Sequence, residues 1–139
     1  MNEDRYKLEA IGWVESPLTD LASAPKQGDE GAPDALLVFE PAFLDGLEGI
    51  QPGDEVIVLT WLHLARRDVL KVHPRGDPSR AEQGVFSTRS PHRPNPIGLH
   101  HVEIVSMDGE RVRVRSLEVL DGTPIVDLKP TLSSDVEQR

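Results

Sequence analysis

LHHVEIVSMDGERVRVRSLEV, residues 99–119, is the stretch that decides the fold class. Asp108-Gly109 sits between two arms, Leu99–Met107 and Arg111–Val119, that are rich in β-branched residues. Glycine reaches positive φ at almost no steric cost, as a tight two-residue turn demands, so the stretch predicts a β-hairpin. Within it, Arg111-Val112-Arg113-Val114-Arg115 alternates polar and apolar residues. That period sends the valines to one face and the arginines to the other, as in a strand with one side on a core and one in solvent.

The same pattern continues outward in both directions. Short apolar runs at Leu8–Val14, Ala35–Phe39, Glu55–Leu64, Asp68–Val72, Gly84–Thr88 and Ile125–Leu128 are separated by Pro and Gly, which number 12 and 11. Such spacing predicts an all-β fold, a sandwich or barrel of short, mainly antiparallel strands with long loops and at most one short helix. The helix is expected at Pro41–Leu47, where proline suits a first turn and Phe43, Leu44 and Leu47 share a face. Ser16–Pro33 reads as a long exposed loop, and residues after about Pro130 as a short tail, so residues 1–139 form one domain.

Composition narrows the function. The 139 residues carry a net charge of −9 and no cysteine. The charge argues against a generally basic nucleic-acid or membrane coat, and the missing cysteine removes disulfides, thiolate metal sites and cysteine nucleophiles. The amino terminus lacks a secretory pattern, and the longest apolar stretch, Val56 to Ala65, is broken by Thr60 and His63, so a cytoplasmic protein is expected. Charge is uneven, however. Residues 66–101 hold seven Lys/Arg against three acids, a local +4 that leaves −13 for the rest, and all five histidines fall between His63 and His101. A localised anion site fits this distribution. Arg66, Arg67 and Arg80 are expected as ordinary solvated charges.

Inside that segment, Thr88–Gly98 (TRSPHRPNPIG) places Pro91, Pro94 and Pro96 within six residues. Prolines fix φ and push the preceding residues into extended conformations, so such a loop has less entropy to lose on capturing a ligand. Arg89, Ser90, His92, Arg93 and Asn95 supply donors on it, and Gly98 permits close backbone approach. Pro91-His92-Arg93-Pro94 also has the minimal P-x-x-P spacing of a groove ligand, a weak pattern inside a folded loop. No metal site is expected, because adjacent His100 and His101 on a strand point to opposite faces. Trp13, Trp61 and Phe86 could stack on an adenine ring, but packing in the interior is the expected fate of aromatics in strands.

GVFSTRSPHRPNPIGLH, residues 84–100, resembles the central motif of the TsaA-like (YaeB, TrmO) family. Ile11–Pro17 (IGWVESP) and Leu120–Pro130 (LDGTPIVDLKP) resemble its opening and closing motifs, in the same order, so the resemblance spans nearly the whole chain. It implies a β-barrel that binds S-adenosylmethionine, acts as a homodimer and N6-methylates threonylcarbamoyladenosine beside the tRNA anticodon. By motif match, Arg89, Ser90, Pro91, Arg93, Pro94, Asn95, Pro96, Ile97, Gly98 and Leu99 are implied to form the cofactor site, closed by Asp121, Gly122, Thr123 and Pro124. Arg89 and Arg93 would suit the oxyanions of the acceptor, since guanidinium binds them bidentately. A general base for the acceptor nitrogen falls among Asp127, His92 and His100, which spacing leaves open. The alternatives are the same chemistry on another acceptor, or a non-catalytic barrel that binds S-adenosylmethionine or a protein partner.

Overall fold

The computed structural model describes residues 6–19 and 33–132. Its strands are β1 (Gly12–Glu15), β2 (Ala35–Phe39), β3 (Glu55–Trp61), β4 (Lys71–Val72), β5 (Gln83–Gly84), β6 (Ile97–Asp108), β7 (Arg111–Val114) and β8 (Pro124–Pro130). Six of them close an antiparallel barrel in the order β1-β2-β7-β6-β3-β8, with β8 pairing back onto β1. β4 and β5 form a separate two-stranded ribbon. The all-β barrel of the sequence reading is present. Among the described residues no helix is long and apolar enough to cross a membrane.

Alternation builds the core. Val14, Leu37, Val56, Val58, Ile104, Val112, Val114 and Ile125 each keep at most 1% of their surface exposed and meet inside the barrel. Burying each such side chain contributes about 1.5–3 kcal/mol, which is what holds so short a chain closed. Arg113 and Arg115 lie exposed between the buried valines, as their alternation requires. Phe39 and Leu47 cap the interior, Leu47 arriving on the 3₁₀ helix Pro41–Leu47 at the position expected for a helix. Asp108 pairs with Arg111, so the hairpin loop is Gly109-Glu110, and Gly109 takes the positive φ of 60° that the turn needs.

Several strands end sooner than their apolar pattern suggests. Arg111–Val119 is strand only to Val114. At Ser116 the backbone turns to φ 53°, its N–H bonds Asp34 Oδ1 (3.1 Å), and Leu117 N–H then bonds Pro33 O (3.0 Å). Leu117 and Val119 stay buried, so the period of a strand persists where the ladder does not. Gly84–Thr88 is likewise a 3₁₀ turn over Val85–Ser87, and Asp68–Val72 contributes only Lys71–Val72. Leu8–Val14 shortens and shifts to Gly12–Glu15. The expected loop Ser16–Pro33 falls mostly outside the described residues, as does the tail from 133 onward.

Candidate functional site

β6 runs twelve residues but β7 only four, and the two pair only from Ile104 onward. Arg115 N–H still reaches Glu103 O (3.0 Å), after which the chain turns away at Ser116. Over Ile97–Val102, β6 is therefore bonded to β3 on one side and has no strand on the other. Peptide groups alternate sides along an antiparallel strand, so those of Leu99 and His101, like Glu103, face the open side. A cleft of about 500 Å³ lies along this edge. Its walls are residues 62–65 after β3, Arg89, Pro91 and His92 of the proline-rich loop, residues 116–120 after β7, and Thr123.

The proline-rich loop is held by a network of its own. Arg93 Nη1 donates to the carbonyls of Thr88 and Ser90 (3.0 Å each), and Ser90 Oγ accepts from His92 N–H (3.2 Å). The segment after β3 adds stitches from outside: Leu62 N–H to Pro96 O (2.8 Å), Arg93 N–H to Arg66 O (3.0 Å) and Arg66 N–H to His92 Nδ1 (3.0 Å). Arg67 donates to Pro94 O (2.7 Å) and Asn95 Oδ1 (3.2 Å) while its guanidinium lies 5.0 Å over the Trp61 ring. Arg67 is thus a brace for the loop and not the ordinary solvated charge expected from sequence.

A family sequence model described as the tRNA-methyltransferase O N-terminal domain matches residues 13–135. This chain belongs to that family. A Methanothermobacter thermautotrophicus protein named probable S-adenosyl-L-methionine-binding protein is 43% identical over 130 residues, covering 94% of this chain and 93% of the relative. An Archaeoglobus fulgidus S-adenosyl-L-methionine-binding protein is 45% identical over 123 residues, covering 88% and 86%. The crystal structure of TrmO from Pseudomonas aeruginosa superposes with a TM-score of 0.73 at 28% identity, covering 95% of this chain and 60% of that one. The chain therefore spans about three fifths of the TrmO crystal structure.

Of the residues singled out from sequence, this TrmO-family fold brings Arg89, Pro91, His92, Leu99, His100 and Thr123 to the cleft. Ser90, Arg93, Pro94, Pro96 and Gly98 stand behind it, Arg93 as the staple of the loop and not as an open guanidinium. Asn95, Ile97 and Pro124 line a different groove with Trp61 and Arg67. Asp121 and Gly122 line a third, where Asp121 Oδ1 accepts the Ser16 N–H (3.0 Å) and closes a turn against the end of β1. Asp127 sits opposite Leu59, beside a bulge in the β3–β8 ladder, with its Oδ1 accepting Leu128 N–H (2.9 Å), and it does not line the cleft.

Sequence reasoning gave residues 62–65 and 116–119 no place in the site. The signal available was the cluster of histidines, since His63, His92, His100 and His101 all line the cleft. The aromatics also differ from expectation. Trp13 is 37% and Phe86 78% exposed, and Trp61 lies beneath Arg67, so none is simply a core residue. Among the described residues no group of three His, Asp or Glu side chains is placed to hold a metal ion.

The two histidines named as bases sit in different hydrogen-bonded surroundings. The Arg66 N–H donates to His92 Nδ1, so the neutral ring carries its proton on Nε2 and presents a donor there. His100 faces inward opposite Val58, and its Nε2 meets the hydroxyl of fully buried Thr60 at 3.0 Å. Gly98 makes that pair possible: a Cβ there would stand 2.5 Å from Thr60 Oγ1 and 2.7 Å from His100 Nε2. The close approach foreseen at Gly98 is thus internal. Burial pushes His100 down to about 4, which keeps it neutral at neutral pH.

A pH dependence of stability follows. The folded state holds the His100 proton less tightly than the unfolded chain, whose imidazole titrates near 6.5. Between about pH 6.5 and 4 the unfolded chain binds the extra proton, so stability is full above this window and falls as pH drops through it, by about 2–3 kcal/mol. Urea unfolding of the wild type and His100→Asn across that range measures the difference. A wild-type stability no more acid-sensitive than the variant's refutes the assignment.

Proposed function

We propose that this chain is an S-adenosylmethionine-dependent methyltransferase of tRNA, N6-methylating threonylcarbamoyladenosine beside the anticodon, with the methyl donor held in the cleft along β6. The observation that carries this reading is the open edge of β6 facing the braced proline-rich loop. The cleft has the volume of an ordinary small-molecule site, about 300–1,000 Å³. Peptide groups of Leu99 and His101 suit the edge of an adenine, and the apolar Leu62, Leu117, Val119 and Leu120 suit its faces. Arg89, exposed at the cleft, supplies a cation for a carboxylate of the donor or the acceptor. Family membership and the names of the relatives support the same reading.

S-adenosylmethionine supplies an activated methyl group on a sulfonium. What is left to the protein is orientation, which a stiff, cross-braced loop performs well. Pro91 and Thr123 line the site directly, while Ser90, Arg93, Pro94, Pro96 and Gly98 hold its wall in place. Asp121 and Gly122 fix the turn that carries Thr123, whose hydroxyl donates to Leu120 O (2.8 Å). A homodimer working in the cytoplasm belongs to this reading, and exposed Leu64 and Leu99 at the cleft are natural surfaces for a second copy to cover.

Two measurements test the reading. Calorimetry with S-adenosylmethionine is expected to give saturable binding to the wild type, and its absence overturns the cofactor assignment. Mass spectrometry of tRNA nucleosides from a deletion strain is expected to show loss of N6-methylated threonylcarbamoyladenosine. Unchanged levels overturn that acceptor and leave a methyltransferase of another substrate.

A further inference from the structure

Phe86 is 78% exposed on a backbone that is held from both sides. Val85 before it is buried, and its N–H bonds Leu70 O (2.9 Å). After it, Ser87 Oγ donates to Gly84 O (2.8 Å), and Thr88 donates its N–H (3.1 Å) and its hydroxyl (3.0 Å) to Val85 O. The 3₁₀ turn Val85–Ser87 therefore presents the ring to solvent on a fixed base. Single exposed apolar side chains are ordinary on a protein surface, so the surroundings of this one decide its use. Phe86 does not line the cleft, but Arg89, three residues on, does. Three residues of chain span at most about 10 Å. In the other direction, Lys71 of β4 pairs with Gly84, and exposed Leu70 adjoins Val85. The other described aromatics are placed differently. Phe39 is buried, Phe43 is half-buried on the 3₁₀ helix, Trp61 lies beneath Arg67, and Tyr6 and Trp13 line other grooves.

We propose that Phe86 is a stacking platform for an unpaired RNA base beside the nucleotide that enters the cleft, an inference that rests on the tRNA methyltransferase reading above. A flat π face accepts any base by stacking, provided the base is unpaired, as bases in an RNA loop are. Charge favours RNA over a second copy of the chain. Residues 66–101 carry +4 in a chain of net charge −9. Of the three acids there, Asp68 is paired with Arg66 (3.0 Å), Asp77 accepts the Ser79 N–H and hydroxyl (2.9 and 2.7 Å), and the third is Glu82. Phosphates complement such a surface, whereas a two-fold-related copy meeting here would set like charges together. Lys71, through its pairing with Gly84, and Arg89, along the chain, flank Phe86 and suit the phosphates of the stacked nucleotide and its neighbour. Gly84–Thr88 reads as a strand in sequence, which would pack Phe86 inside; the 3₁₀ turn instead sends Val85 inward and Phe86 out.

The test measures binding of a fluorescent anticodon stem-loop RNA that carries threonylcarbamoyladenosine in its loop, with a fully paired RNA duplex as the control. Phe86→Ala is expected to weaken the stem-loop by about ten- to a hundredfold, and Phe86→Trp to keep it within about threefold of wild type. The duplex offers no unpaired base, so its weaker binding is expected to be the same in wild type and Phe86→Ala. S-adenosylmethionine affinity of Phe86→Ala, read by calorimetry, is expected to stay within about threefold, which also reports a folded cleft. Stem-loop affinity of Phe86→Ala within about threefold of wild type overturns the role. So does an equal loss for stem-loop and duplex, which makes the effect something other than stacking. A change of oligomeric state in Phe86→Ala, seen by sedimentation, also overturns it and gives the surface to a second copy. A wild type that binds neither RNA overturns the tRNA reading itself, a failure told apart because it needs no variant.

Discussion

Gly12→Ala is expected to lower stability by about 3 kcal/mol or more, among the larger effects available to one added methyl. Gly12 pairs with Phe39 where β1 crosses β2, and an added Cβ would overlap the carbonyl oxygen of Val38 and lie 2.9 Å from Phe39 Cα. Both obstacles are backbone atoms of a neighbouring strand, so no side chain can rotate away. Relief requires β1 and β2 to separate, yet Ile11 N–H, Glu40 N–H and Val14 N–H hold the chain on both sides at 2.9 Å each. For a domain this size, the melting temperature is expected to fall by about 10 °C. Gly46→Ala is the control, because nothing lies within 4 Å of the point its Cβ would occupy, and it should cost under about 1 kcal/mol. Equal melting temperatures for the two variants would refute the steric account.

Arg93→Ala is expected to weaken S-adenosylmethionine binding by about ten- to a hundredfold, although Arg93 does not line the cleft. Its Nη1 joins the carbonyls of Thr88 and Ser90, which flank Arg89. Removing it leaves both carbonyls without that donor and frees the residues that carry Arg89, His92 and Pro91 into the site. Ordering each such residue again costs about 1 kcal/mol at binding, so a few of them account for the loss. Thermal stability should fall as well, by about 1–3 kcal/mol, since the carbonyls are part-buried. Calorimetry on Arg93→Ala and Arg89→Ala separates loop bracing from direct contact: only the first should also lower the melting temperature. Donor affinity unchanged in Arg93→Ala would sink the proposal that this loop forms the cofactor wall.

Both predictions concern residues whose identity the sequence made conspicuous but whose work it did not disclose. The β6–β7 hairpin was legible because Gly109 and the Val112/Val114 alternation are local properties, set by steric limits on φ and by the two-residue period. Leu117 and Val119 carry the same period, yet Ser116 turns the chain away from β6 because Asp34, 82 residues earlier, binds its N–H. Nothing local announces that partner. The difference matters, because that departure is what opens the cleft and brings residues 116–120 to its wall.

The sequence by itself determined an all-β chain with a stiff, cationic, proline-rich loop and, through its motifs, the family and its barrel. Those features follow from torsional limits, alternation and residue order, which need no knowledge of distant contacts. Only the tertiary structure decided which polar residues meet at one cleft. Arg67 became a brace for Pro94 and Asn95, Asp121 turned to the Ser16 N–H, 105 residues away, and residues 116–120 came to the cleft that Arg89 also lines. In each case the partner or the facing wall belongs to a segment far along the chain, which barrel closure alone brings near.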